Sequence, residues 1–189
     1  MVSSIQKEKV ELFLKYHHDK EILVLLNSWD NGSSKLIEAC GFKAIATTSM
    51  GVAASLGYPD CQIITLSEMI EVITGIVKSV KAPVTVDIEA GYGNNTNEVL
   101  ESMKKIIATG IAGINIEDSL ELDPKLIDEM EFCERISAIR ELSESLGFHL
   151  VQHKKNYLNQ LSAAINTVKP VPIAFLFSLY LIKKQLKHW

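Results

Sequence analysis

From Pro83 to Asn94 the chain reads PVTVDIEAGYGN, and from Gly110 to Ser119 it reads GIAGINIEDS. Each stretch is a short β-branched run that ends in acids and then meets a glycine-bearing or polar loop. Side chains alternate across a strand, so Asp87 and Glu89 point to one side, opposite Val86 and Ile88. By the same rule Asn115 and Glu117 share a face. Three carboxylates thereby gather at one end of two strands that follow each other in the chain.

Working outward from these two runs, the same rhythm repeats. Apolar runs begin at Ile22 (to Asn27), Ala44 (to Thr48), Pro83 (to Glu89), Ile111 (to Glu117) and Phe148 (to Val151). Helix-period segments separate them. Asn31 to Cys40 predicts a short helix ended by Gly41, and Thr65-Leu66-Ser67-Glu68 has capping-box spacing ahead of an apolar face from Leu66 to Val80. Asn95 or Thr96 caps the next helix, and Asp123-Pro124 reads as N-cap and first residue of a long one that runs to Gly147. Strands joined by helices must lie parallel, which leaves a doubly wound sheet or a β/α barrel.

Composition agrees with a packed domain. Of 189 residues, 47% are hydrophobic and 22% charged, with a net charge of -4. That average hides a split: Ser145 to Trp189 carries six lysines and no acid, which leaves 13 basic and 23 acidic residues, a balance of -10, in Met1 to Glu144. An acidic body does not suit nucleic acid, and no nucleic-acid partner is expected. The longest apolar stretch, Val171 to Ile182, is too short to span a bilayer and contains Pro172, and no secretory leader opens the chain, so a cytoplasmic location is expected. Cys40, Cys61 and Cys133 have no CxxC spacing and read as buried thiols; the five histidines fit no metal-ligand pattern.

In parallel β/α folds the reactive groups collect where strands end. Like charges packed there are costly without a neutralising cation, and Mg²⁺ suits oxygen donors while retaining several waters. Asp87, Glu89 and Glu117 are therefore the candidate metal set. The loop from Ser49 to Asp60 (SMGVAASLGYPD) is rich in small residues, which permits backbone N–H groups to face an anionic ligand.

These residues resemble the isocitrate lyase and phosphoenolpyruvate mutase superfamily. The resemblance is carried by Asn27 to Ala39 (NSWDNGSSKLIEA), Gly41 to Asp60 (GFKAIATTSMGVAASLGYPD), Pro83 to Asn94 and Gly110 to Ser119, in this order. It implies a TIM-type β/α barrel in which Asp87, Glu89 and Glu117 hold Mg²⁺, partly through water. It also implies that Thr48, Ser49 and Met50 bind the substrate carboxylate or oxo group, and that Asp60 lies near metal and substrate as the catalytic residue assisting the reacting group. The implied chemistry makes or breaks a C–C or P–C bond of a small 2-oxo acid or phosphonate through an enolate.

Two departures qualify the resemblance. Isocitrate and methylisocitrate lyases carry a Lys-Lys/Arg-Cys-Gly-His loop after the fourth strand, whereas Leu120 to Pro124 here reads LELDP; the short phosphonomutase-like branch matches better. Family members also continue from the fifth strand into an arginine-bearing segment and three further βα units, whereas Val151 is followed by Gln-His-Lys-Lys. The expectation is a partial barrel of about five βα units over residues 1–151, with an atypical basic helical tail over 152–189. Val151 reads as a junction of the kind a frameshift or truncation leaves. The lead reading is thus a Mg²⁺-dependent lyase or mutase; the alternative is an inactive remnant that binds a partner or homologue through open strand edges, homo-oligomers included. Residues 170–189 are expected to pack on the barrel and not on a membrane surface, because Pro172 interrupts an amphipathic helix.

Overall fold

The computed structural model describes residues 2–60, 63–118 and 126–146, together with the backbone of 151–155. Five strands, β1 (Leu26–Ser28), β2 (Ile45–Thr47), β3 (Val84–Asp87), β4 (Gly113–Glu117) and β5 (Val151–Lys155), form one sheet in the order β1-β2-β3-β4-β5. Every neighbouring pair is parallel. Sequential order with all-parallel pairing requires each crossover helix to lie on the same side, because such connections share one hand. That is the arrangement of a partial β/α barrel, so the barrel alternative holds and the doubly wound one does not. Of the expected helical tail over 152–189, residues 152–155 belong to β5 and the rest lies outside the described residues.

The crossovers are α2 (Asn31–Ala39), α3 (Ser49–Ser55) with α4 (Leu66–Ser79), α5 (Thr96–Ile107) and α6 (Glu129–Ser145), and α1 (Ser4–His17) precedes the sheet. Side-chain caps fix where most of them start. Asp30 accepts from the Ser33 N–H at 2.6 Å, and Thr65 and Glu68 form the reciprocal box that the sequence predicts. Asn95 accepts from the Glu98 N–H at 3.0 Å.

One face of the sheet is apolar. Ile45, Val84, Val86, Ile88, Ile114 and Ile116 are buried in one core with Met69, Ile73 and Ile76 of α4 and Val99, Met103 and Ile106 of α5. Hydrophobic burial on this face supplies the main driving force for the fold. The opposite face carries Ala46 and Thr85 on one rung and Asp87 with Asn115 on another.

Helix α1 closes the end where the strands begin. Its Gln6 amide donates to the carbonyls of Ile107 and Ile111 at 2.8 and 3.0 Å, and Lys9 donates to the Val80 carbonyl at 3.2 Å. Because those carbonyls precede β3 and β4, α1 lies at the end opposite Asp87 and Glu117.

Four elements differ from the sequence reading. Strand β1 starts at Leu26 and not Ile22, because its partner β2 begins only at Ile45, so the earlier residues have nothing to pair with. The segment expected as a loop after β2 is largely α3, where Ala53 and Ala54 favour helix over the turn-forming tendency of Gly51 and Ser55. Helix α6 is capped by Asp128, whose carboxylate accepts from the Met130 and Glu131 N–H groups, so the helix starts five residues after the expected Pro124 start; Asp123 and Pro124 themselves lie outside the described residues. Strand β5 pairs five successive residues, Val151 to Lys155, with Gly113 to Glu117, so residues 152–155, where the sequence reading starts the tail, are strand.

Candidate functional site

The site is built on the ends of β3 and β4. Asp87 is 1% exposed, and Asn115 beside it in register is 0% exposed. Glu89 follows two residues after Asp87, is 7% exposed, and its carbonyl accepts from the Glu117 N–H at 2.7 Å. Asp87 and Asn115 thus share a rung, and Glu89 and Glu117 are joined through their backbones just beyond it; β3 ends at Asp87 and Glu89 follows in left-handed backbone, so the alternation that the sequence reading extends to Glu89 stops at Asp87.

Local hydrogen bonds hold the acids. Ser49, in the first turn of α3, donates its hydroxyl to the Asp87 carboxylate at 3.3 Å. The Asp87 N–H donates to the Thr47 hydroxyl at 3.0 Å, and the Glu89 N–H donates to the Asp87 carboxylate at 3.3 Å. Tyr92 donates its phenol to Glu89 at 3.4 Å. Burial, then the charges of Glu89, Asp87 and Asp60, push the Tyr92 phenol far above its ordinary value, so it remains a proton donor at any physiological pH.

Asp60 lies half-buried beyond α3, and its charge is the weakest of those acting on Tyr92. Thr48 is the half-buried N-cap residue of α3 and makes no side-chain cap bond. Met50, in the first turn of α3, is 60% exposed.

The loop that carries Glu89 is strained. Among the described residues, the two non-glycine residues with positive φ are Glu89 at 50° and Tyr92 at 57°. Such backbone costs on the order of 1–3 kcal/mol per residue and concentrates at functional sites. The two glycines of the Gly-Tyr-Gly motif answer packing needs: Gly91 has φ 98°, and a Cβ on Gly93 would stand 2.5 Å from the Val99 backbone nitrogen at the start of α5.

Two signals escape a sequence reading. Both side-chain polar atoms of Asn115 are buried without a hydrogen-bond partner, as is one carboxylate oxygen of Asp118. Buried polar groups are almost always satisfied, and the exceptions mark places where a water, ion or ligand belongs. Asn115 is visible in the sequence as sharing the face of Glu117, but its lack of a partner is a property of packing. Tyr92 is visible only as the middle of a glycine loop.

The donor set is all oxygen: Asp87, Glu89, Glu117 and the Asn115 amide. Among the described residues no three His, Cys, Asp or Glu side chains stand close enough to cage a metal on their own. Oxygen donors suit a hard cation such as Mg²⁺ and not the nitrogen and sulfur ligation typical of zinc.

A segment of parallel β/α barrel with acids and strained backbone at its C-terminal strand ends is the architecture of a superfamily of lyases and mutases. The chain belongs to the phosphoenolpyruvate phosphomutase family, whose model matches residues 13–165, within the isocitrate lyase and phosphoenolpyruvate mutase superfamily. It is 36% identical over 129 residues to an uncharacterized protein of Mycobacterium tuberculosis, covering 68% of this chain and 48% of that protein. It is 33% identical over 102 residues to the 2,3-dimethylmalate lyase of Eubacterium barkeri, covering 53% of this chain and 35% of the lyase. Among solved structures, oxaloacetate acetylhydrolase in complex with its product oxalate superposes with a TM-score of 0.73 at 26% identity, covering 82% of this chain and 54% of that one. The chain spans about half the length, or less, of the curated relatives it matches. Among the described residues no helix is long and apolar enough to cross a membrane.

Proposed function

We propose that this chain carries the metal-binding and substrate-binding half of a Mg²⁺-dependent lyase or mutase that acts on a C–C or P–C bond of a small 2-oxo acid or phosphonate. The observation that carries this reading is that Asp87 and Asn115 share a rung while Glu89 and Glu117 are joined through their backbones just beyond it, at the same end of the sheet. Asp87, Glu89 and Glu117 would hold the cation, directly or through its waters. When bound, it would supply positive charge opposite the oxygen on which negative charge gathers as a bond to C3 of a 2-oxo acid breaks.

The chain's own residues do the rest. Ser49 and the Glu89 N–H fix the rotamer of Asp87, and Tyr92 does the same for Glu89 while remaining protonated. The Asn115 amide offers a donor and an acceptor in a dry setting, where an oriented hydrogen bond to a carboxylate or water counts for more than in solution. Thr48 and the backbone at Ser49 and Met50 would orient the substrate's anionic group. Asp60, half-buried beyond α3, would move a proton to or from the reacting group.

The inactive-remnant alternative is less well supported. A face that no longer bound anything would have no use for two non-glycine residues in left-handed backbone.

Thermal unfolding of the full chain with Mg²⁺, with oxalate and with both tests the proposal. At 100-fold excess over Kd, a ligand stabilises the folded state by ~2.7 kcal/mol. For a chain of this size that predicts a midpoint rise of roughly 5–10 °C with Mg²⁺ plus oxalate, and a smaller one with Mg²⁺ alone. A cooperative transition that neither additive moves contradicts the proposal.

A further inference from the structure

Behind the site loop lies a charge that the proposed chemistry does not use. Arg135 of α6 is 1% exposed, and its guanidinium donates to the Ala90 carbonyl at 3.2 Å. Its other terminal nitrogen meets Glu131, one helical turn earlier, at 3.2 Å, but the Glu131 side chain is 49% exposed. The Nε–H is buried without a partner. As a device for packing α6 this is poor: a buried guanidinium with one half-exposed counter-ion and one unmet donor costs more than an apolar side chain of similar size.

The place it touches explains its presence. Ala90 lies between Glu89 and Gly91, inside the strained turn that ends at Tyr92. Further bonds fasten the same turn, among them the Ile88 N–H to the Asn115 carbonyl at 3.0 Å, the Gly91 N–H to the Ile88 carbonyl at 2.9 Å, the Glu117 N–H to the Glu89 carbonyl at 2.7 Å, and the Ser102 hydroxyl to the Tyr92 carbonyl at 2.8 Å. Strained backbone persists only where its surroundings over-determine it. Of the side chains that reach this turn, Arg135 is the one that brings a full charge to the carbonyl immediately after Glu89.

We infer that Arg135 is a positioning residue: from α6 it clamps the Ala90 carbonyl, holds Glu89 in left-handed backbone, and so sets where the Glu89 carboxylate stands. It touches neither substrate nor metal. Its effect on ligand binding rests on the function proposed above, but its effect on the loop does not.

Two readouts keep these apart. The first is amide hydrogen exchange in the full chain without ligand. In Arg135→Met the Gly91 and Glu117 amides, whose acceptors are the Ile88 and Glu89 carbonyls, exchange about tenfold faster or more, while amides in β2 and α4 keep their wild-type rates. Arg135→Lys, which retains a charged donor, lies between the two, and it decides by the same comparison should Arg135→Met fail to fold. The second is the Mg²⁺ affinity in the presence of oxalate, expected to fall by roughly 10–100-fold in Arg135→Met, as is usual when a residue that orients a ligand is removed. Unchanged exchange at Gly91 and Glu117, or a uniform rise across the whole chain, overturns the inference and leaves Arg135 a packing residue. If wild-type protein binds no Mg²⁺ and oxalate, the proposed function fails, and the exchange comparison alone decides the role of Arg135.

Discussion

The two faces of strands β3 and β4 obey different rules. On the helix-facing side Val84, Val86, Ile88, Ile114 and Ile116 are buried against α4 and α5, and every side chain there is apolar. On the other side Thr85, Asp87 and Asn115 are just as buried yet polar, and two of the three keep polar atoms without a partner. A sheet selected only for stability would not pack a hydroxyl and an amide where they go unmet. One face therefore holds the fold together, and the other carries buried polar groups that the proposed ligand site would use.

Substitutions on the two faces should separate these roles, with the largest effect on the polar one. Asp87→Asn removes a charge from the candidate metal set at nearly constant volume, so Mg²⁺ affinity in the presence of oxalate should fall by roughly 100-fold or more. Its unliganded unfolding midpoint should stay within a few degrees of wild type, as calorimetry and thermal unfolding together would show. Ile114→Ala, on the same strand pair but the other face, should do the reverse. Cavity formation there costs about 2–5 kcal/mol in chemical denaturation, while the protein that remains folded keeps its affinity. Equal loss of binding in both variants would erase the distinction between the faces.

Smaller effects come from the loops that connect the faces. Backbone and side-chain bonds from Thr65 hold the Glu68 carboxyl below its ordinary value of 4.5, and Asn94 does the same for Glu98. A carboxyl whose folded value is depressed stabilises the fold at and above its unfolded value, and that contribution is lost as pH falls through the folded one. The unfolding midpoint should therefore decline below about pH 4.5, and Glu68→Gln should flatten part of that decline in a pH series. An unaltered slope in Glu68→Gln would show that the capping box contributes little.

The same contrast explains what could be read in advance. Alternation in VTVD and GINIE is enough to assign the faces, and the box at Thr65 and the cap at Asn95 are local signals that survive in the fold. Sequential parallel order follows from helices between strands. What escaped depends on partners distant in the chain. The start of β1 is set by where β2 begins, and Ala53 and Ala54 outweigh the glycine and serine that suggested a loop at α3. Asp128 caps α6 through its own side chain, and the sequence reading places that cap at Asp123, which lies outside the described residues. At the site, Asp87, Glu89 and Glu117 are legible as acids at strand ends. The unmet Asn115 amide and the Arg135 clamp are not, because each is defined by a neighbour that no local pattern names.

The central claim is that the polar face binds a hydrated divalent cation together with a small 2-oxo acid. Isothermal titration of Mg²⁺ into the folded full chain, in the presence and absence of oxalate, tests it most directly. The account predicts saturable binding at one site per chain that oxalate tightens and Asp87→Asn abolishes. No heat beyond dilution in either titration, from protein that unfolds cooperatively, would contradict it.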